Sequence, residues 1–275
     1  MAKGTGLSGA TLLVTGGGSG LGRRLALGAA QRGSRVVIWD MDAVRGAGVR
    51  DEIRAAGGDA EALAVDVTDR DAVNAAAAST GHVDVLVNNA GVVSGHHLLD
   101  ADDEAIERTL KVNVLALYWV TRAFLAGMAG RRRGTIVTIA SAAGLVGVAR
   151  QTDYSASKFA AFGFNESLRA ELRANRHEVN TLVVCPYYID TGMFEGVRTR
   201  WPLLLPILRE EDVATKVLDA IESGRRQLVL PPMVKLLPAL RVLPVGAFDR
   251  LMDVFGVNGT MDHFTGRAGD RAVQD

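Results

Sequence analysis

With one cysteine in 275 residues, Cys185, the chain cannot form an intrachain disulfide, which suits a reducing compartment. Cys185 closes the apolar run Thr181 to Cys185 and reads as a buried strand residue, not a nucleophile. Proline is missing from the first two thirds: all seven prolines lie between Pro186 and Pro244. The early chain therefore reads as a regular scaffold, and the later part as irregular segments able to shape a binding site. Net charge is absent as well. The 31 basic residues cancel the 31 acidic ones, so no global field draws nucleic acid. Arg131, Arg132 and Arg133 make the one dense basic run, which reads as a solvated turn. No segment reads as a conventional transmembrane helix, and the glycine-rich stretch Gly4 to Gly22 is unlike a secretory leader. The histidines, at 82, 96, 97, 177 and 263, have no metal-ligand spacing, and no metal is expected. These absences predict a cytoplasmic protein.

What is present is a globular composition, 48% hydrophobic and 23% charged, sufficient for a large core. Short β-rich runs alternate with helical ones. The strands are predicted at Thr11 to Val14, Arg35 to Trp39, Ala60 to Val65, Val83 to Val87, Thr135 to Ile139, Thr181 to Cys185 and Gln227 to Leu230. Helices such as Leu21 to Arg32, Ala43 to Ala56 and Glu166 to Asn175 separate them. Alternation of this kind implies βαβ units. The expected fold is α/β, a single Rossmann-type domain with a doubly wound parallel sheet of about seven strands and helices on both faces. The domain is expected over residues 1–230, with a substrate lid near 187–210 and a C-terminal extension, 231–275, packed on it.

Directly after the first strand comes Thr15-Gly16-Gly17-Gly18-Ser19-Gly20-Leu21-Gly22, opening a helix. Such a turn lets backbone amides approach a pyrophosphate at the positive helix N-terminus. The spacing of Gly16, Gly20 and Gly22 is not the strict dinucleotide fingerprint, but its context of strand, helix and downstream acid is complete. The acid is Asp40, which suits ribose hydroxyls and repels a 2′-phosphate, so NAD is expected over NADP. Ser19 and Met41 supply no cation for that phosphate, and Arg23 is the counter-indication. Asp66 and Val67 end the third strand, where they can meet adenine. Asn88, Asn89, Ala90 and Gly91 end the fourth and can meet ribose and backbone.

Tyr154 and Lys158 stand four residues apart, on one face of a helix. An ammonium beside the phenol, together with an oxidised nicotinamide, is expected to lower a tyrosine pKa that ordinarily lies near 10. Ser141, at a further strand end, can hold a substrate oxygen against Tyr154. Taken in order, T-G-x-x-x-G-x-G, N-N-A-G, a helix asparagine, a strand-end serine and Y-x-x-x-K resemble the short-chain dehydrogenase/reductases. The match covers roughly residues 8–225. The resemblance implies a tetrad of Asn113, Ser141, Tyr154 and Lys158, with Asn113 tying a water to Lys158 and Lys158 also holding the nicotinamide ribose. It brings Pro186, Ile189 and Thr191 to the cofactor, Thr191 at the carboxamide. Tyr187 departs from the glycine of many members. Val184 to Gly196 and Leu203 to Leu208 look like the retinol dehydrogenase and 17β-hydroxysteroid dehydrogenase branch, which implies a lipophilic alcohol or carbonyl substrate and a homodimer or homotetramer.

Two apolar stretches, Phe194 to Leu208 and Met233 to Phe255, can cover such a ligand, lie peripherally on a membrane, or pack between subunits. Two other functions compete. One is an NADPH-dependent ketone or 3-ketoacyl-thioester reductase, and the other a catalytically silent dinucleotide-binding sensor.

Overall fold

Side chains alternate along each strand, and in this chain both alternate sets are apolar. On the first strand Leu12 and Val14 face one layer, packing with Leu25 and Val217, while Leu13 faces the other with Val73 and Phe124. Val36 and Ile38 join the first layer, Val37 and Trp39 the second. Sequences of this pattern need cover on both faces of the sheet. Fully burying each such side chain stabilises the fold by about 1.5–3 kcal/mol.

The computed structural model describes residues 4–266; Met1 to Lys3 and the last part of the C-terminal extension, 267–275, lie outside the described residues. Its strands are β1 (Thr11–Thr15), β2 (Arg35–Asp40), β3 (Ala60–Ala64), β4 (Val85–Asn88), β5 (Gly134–Ile139), β6 (Val179–Pro186) and β7 (Gln227–Leu230). All pair in parallel, in the order β3-β2-β1-β4-β5-β6-β7. This is the doubly wound Rossmann-type sheet. Parallel neighbours need crossovers, which come from α1 (Gly20–Gln31), α2 (Ala43–Ala55), α3 (Arg70–Thr80), α4 (Asp103–Leu110), α5 (Ala116–Gly130), α6 (Thr152–Ala174) and α7 (Glu210–Glu222). The sheet grows outward from β1 through β2 to β3, then restarts at β4 on the other side of β1. Neighbouring crossovers diverge there and leave a crevice beyond the strand ends.

Between α4 and α5 the chain makes a π turn, Lys111–Leu115, so the helical run carries a local bulge. The combined run Asp103–Gly130 is long and apolar enough, by length and composition, to cross a membrane, which departs from the sequence expectation. Here Val120, Phe124 and Met128 of that run pack in the second core layer. After β7 come a 3-10 turn (Pro232–Leu236), α8 (Leu237–Leu240) and α9 (Val245–Phe255). Val234 packs with Val183 and Val229, and Met252 and Val257 pack with Val146.

Candidate active site

The turn after β1 is built for close approach. Gly16 sits at φ +62°, a left-handed conformation that side chains disfavour. A Cβ on Gly22 would collide with the Gly16 carbonyl and the Asn89 amide, so the first turn of α1 rests directly on the loop. No acidic side chain stands in that turn, which leaves the positive helix end to an anion. The neighbouring β4 end holds the loop in place. Asn89 Nδ2 donates to the Thr15 and Gly16 carbonyls at 2.9 and 3.1 Å, while Thr15 Oγ1 accepts from the Asn89 and Ala90 amides at 3.0 and 3.1 Å. Asn89 thus supports the cradle through its side chain.

At the end of β2, Asp40 accepts from the Gly18 amide at 2.8 Å and the Asp42 amide at 2.9 Å, one on each oxygen. Both bonds fix the carboxylate, and each oxygen keeps a lone pair for a ribose hydroxyl. Arg23, the counter-indication to NAD, is paired with Glu52 at 2.6 Å. Arg45, which the sequence reading passed over, also lines the site, and its guanidinium pairs with Asp42 at 3.1 Å. Asp66 accepts from the Thr68 amide and hydroxyl at 2.8 and 2.7 Å.

Across the crevice, Ser141 opens the short turn after β5. Its hydroxyl accepts from the Ala143 amide at 3.1 Å and is hydrogen-bonded to Tyr154. Lys158 donates to the Ile139 carbonyl at 3.0 Å, and its Nζ lies 5.5 Å from the Tyr154 ring centre. Burial is the leading influence on both. It pushes the Tyr154 phenol well above its ordinary value, against the Ser141 hydrogen bond and with help from Tyr188. It also pulls Lys158 down to about 8. The expected lowering counts an oxidised nicotinamide beside the ammonium; in the protein alone loss of hydration dominates and the group is a neutral phenol. Cys185, beneath them on β6, is buried and held up at about 12 by loss of hydration.

Gly16, Ser19 to Gly22, Asp40, Asp66, Val67, Asn89 to Gly91, Ser141, Tyr154 and Lys158 line one continuous cavity of about 860 Å³, whereas Asn113 and Asn88 do not, the Asn88 amide donating instead to Thr121 Oγ1 at 3.0 Å. Pro186, Ile189 and Thr191 lie on its wall with the glycine turn, Asp40, Asp66, Val67 and Gly91. Asn113 is buried behind that wall in the π turn. Its amide bonds both ways to the Val92 backbone, each at 2.9 Å, and donates to Ser157 Oγ at 3.0 Å. The side chain is therefore a clip between the β4 loop and α6. Beyond Tyr154 the cavity turns apolar, walled by Val146, Phe194, Leu205, Met233, Leu240 and Phe255. The sequence reading missed two polar members of this end, Gln151 and Tyr188. Neither belongs to a local motif.

A family model described as short chain dehydrogenase matches residues 10–201. The mouse protein epidermal retinol dehydrogenase 2 is 39% identical over 268 residues, covering 95% of this chain and 87% of the relative. A short chain dehydrogenase/reductase from Burkholderia phymatum, solved in complex with NAD, superposes with a TM-score of 0.79 at 30% identity, covering 86% of this chain and 94% of its own. A metagenomic short-chain oxidoreductase, solved in complex with NADP, gives a TM-score of 0.68 at 33% identity, covering 82% and 96%.

Proposed function

This chain belongs to the short-chain dehydrogenase family, in its retinol dehydrogenase-like branch, and from that premise we propose that it interconverts a lipophilic alcohol and its carbonyl compound with NAD. The observation that carries the reading is the single cavity running from Asp40, past Tyr154, into an apolar end. A nicotinamide dinucleotide fits the residues present: a glycine cradle at a bare helix N-terminus, a fixed carboxylate at β2 and a cation at Lys158. The glycine turn would hold the pyrophosphate, Asp40 the adenosine ribose, Lys158 the nicotinamide ribose and Thr191 the carboxamide. When bound, the dinucleotide supplies the hydride acceptor or donor.

The chain's own residues do the rest. Ser141 holds the substrate oxygen by a hydrogen bond, and Tyr154 exchanges a proton with that same oxygen. In reduction the neutral phenol gives its proton to the forming alkoxide. In oxidation a phenolate, stabilised by the Lys158 ammonium, takes the hydroxyl proton. Asn113 keeps the β4 loop and α6 in register behind them. The apolar wall excludes water and binds the hydrocarbon part of the substrate. The same reading makes the enzyme a cytoplasmic homodimer or homotetramer, with exposed Leu203, Val242 and Val245 able to meet a membrane surface.

A reductase using NADPH is the competing reading, favoured by Arg45 at the ribose end. Assaying the purified protein with a long-chain alcohol and either cofactor, beside Tyr154→Phe, separates the possibilities. Turnover should favour NAD and fall at least a hundredfold in the variant, with NAD affinity within about twofold. Preference for NADP would overturn the cofactor assignment, and full turnover by the variant the proton carrier. No turnover with any alcohol or ketone would leave a dinucleotide sensor.

A further inference from the structure

Gln151 stands at the N-cap of α6, yet its side chain makes no capping bond there. Its Nε2 instead donates to the Tyr188 hydroxyl at 3.3 Å. That hydroxyl lies 2.8 Å from Thr260 Oγ1, and Thr260 Oγ1 lies 2.8 Å from the Val257 carbonyl. Carbonyls only accept and amide nitrogens only donate, so the protons have one consistent arrangement. Gln151 donates to Tyr188, Tyr188 to Thr260, and Thr260 to Val257. Turning the Gln151 amide over would make it an acceptor and break the bond to Val257. Gln151, Tyr188 and Thr260 are all buried, so a lost link leaves a polar group short of its protein partner.

The same three residues reach Tyr154 by two routes. Gln151 begins the helical turn that carries Tyr154, and its carbonyl accepts from the Ser155 amide at 2.7 Å. The Tyr188 ring meets Phe194 edge-on with centres 5.1 Å apart, and Phe194 meets Tyr154 in the same manner at 5.7 Å. The C-terminal segment also fastens the Phe194 loop. The Thr265 amide donates to the Glu195 carbonyl at 2.9 Å, and the Arg198 amide to the Thr260 carbonyl at 3.2 Å.

We propose that Gln151, Tyr188 and Thr260 are positioning residues, a directed hydrogen-bond chain by which the C-terminal extension sets the attitude of the Tyr154 ring toward the substrate oxygen. The proposal rests on Tyr154 being the proton carrier. Proton transfer needs the phenol within hydrogen-bond reach of the substrate oxygen, and a small tilt at that point slows turnover steeply.

The test compares Tyr188→Phe, Thr260→Val and Thr260→Ser with the parent enzyme on a long-chain alcohol. The first two keep shape and remove one hydroxyl; the third keeps the hydroxyl. Loss of either hydroxyl should lower kcat about tenfold or more, with KM for alcohol and Kd for NAD within about twofold. The acidic limb of the kcat–pH profile should move to higher pH in both, because a tilted phenolate gains less from Lys158. Thr260→Ser should restore both readouts, and the double variant should be no slower than the slower single one. Values of kcat within twofold of the parent in both single variants would overturn the proposal, as would losses that Ser fails to rescue or that leave the pH limb unmoved. A parallel Tyr154→Phe that kept full turnover would instead remove the proton-carrier reading itself.

Discussion

Lys158 is a cation that its surroundings make costly to charge. Burial lowers its folded pKa to about 8 from an ordinary 10.5. Between those values the unfolded chain carries the proton and the folded chain does not, so stability from this group rises as pH climbs through that window. Below pH 8 both states are protonated and its contribution is flat. Tyr154 acts in the opposite sense only above about pH 10, where an unfolded tyrosine ionises and the buried one does not. Urea titrations of the parent and Lys158→Met at pH 8 and pH 10 should therefore diverge. The parent should gain on the order of 1–2 kcal/mol relative to the variant over that interval. Equal gains in the two proteins would mean that Lys158 is hydrated in solution.

Among the elements, the turn from β1 into α1 tolerates least. Gly22→Ala puts a methyl group against the Gly16 carbonyl and the Asn89 amide, which are both part of the latch to β4. The variant should lose roughly 1–3 kcal/mol of stability, as overpacked sites do, and bind NAD at least tenfold more weakly. Thermal melts with and without NAD would check it; an undiminished shift of the midpoint by NAD would contradict the cradle. The strands and this turn were legible because their signals are local: two-sided apolar runs, and glycine where backbones meet. All seven predicted strands are present, although β6 starts earlier, at Val179, and β4 later, at Val85. The π turn was not legible, since Lys111 to Leu115 are ordinary helix residues by composition. Nor were Gln151 and Tyr188. Their meaning lies in hydrogen bonds across 37 and 72 positions of sequence, which no local pattern announces. The depth of burial that raises the Tyr154 pKa in the protein alone was not legible either, because helical spacing supplies the cation but not the loss of hydration.

For the molecule as a whole, the two ends of the cavity obey different physics. The dinucleotide end selects by hydrogen bonds and charge, while the far end is walled mostly by apolar side chains, such as Leu240 and Phe255. Each methylene buried there is worth about 0.8 kcal/mol, or roughly fourfold in kcat/KM. Catalytic efficiency along a series of straight-chain primary alcohols should rise by about that factor per carbon and level off once the wall is filled. A flat series, or a preference for ethanol, would remove the lipophilic substrate and leave the family assignment untouched.

The split of the cavity between early and late parts of the chain also orders its construction. The residues proposed to hold the dinucleotide run from Gly16 to Thr191, whereas the extension that closes the far end starts about forty residues later and reaches Thr260 about seventy later. On a ribosome adding roughly 5–20 residues per second, the dinucleotide crevice emerges several seconds before the segment that aligns Tyr154. A nascent chain can therefore meet its cofactor before it has a finished place for substrate.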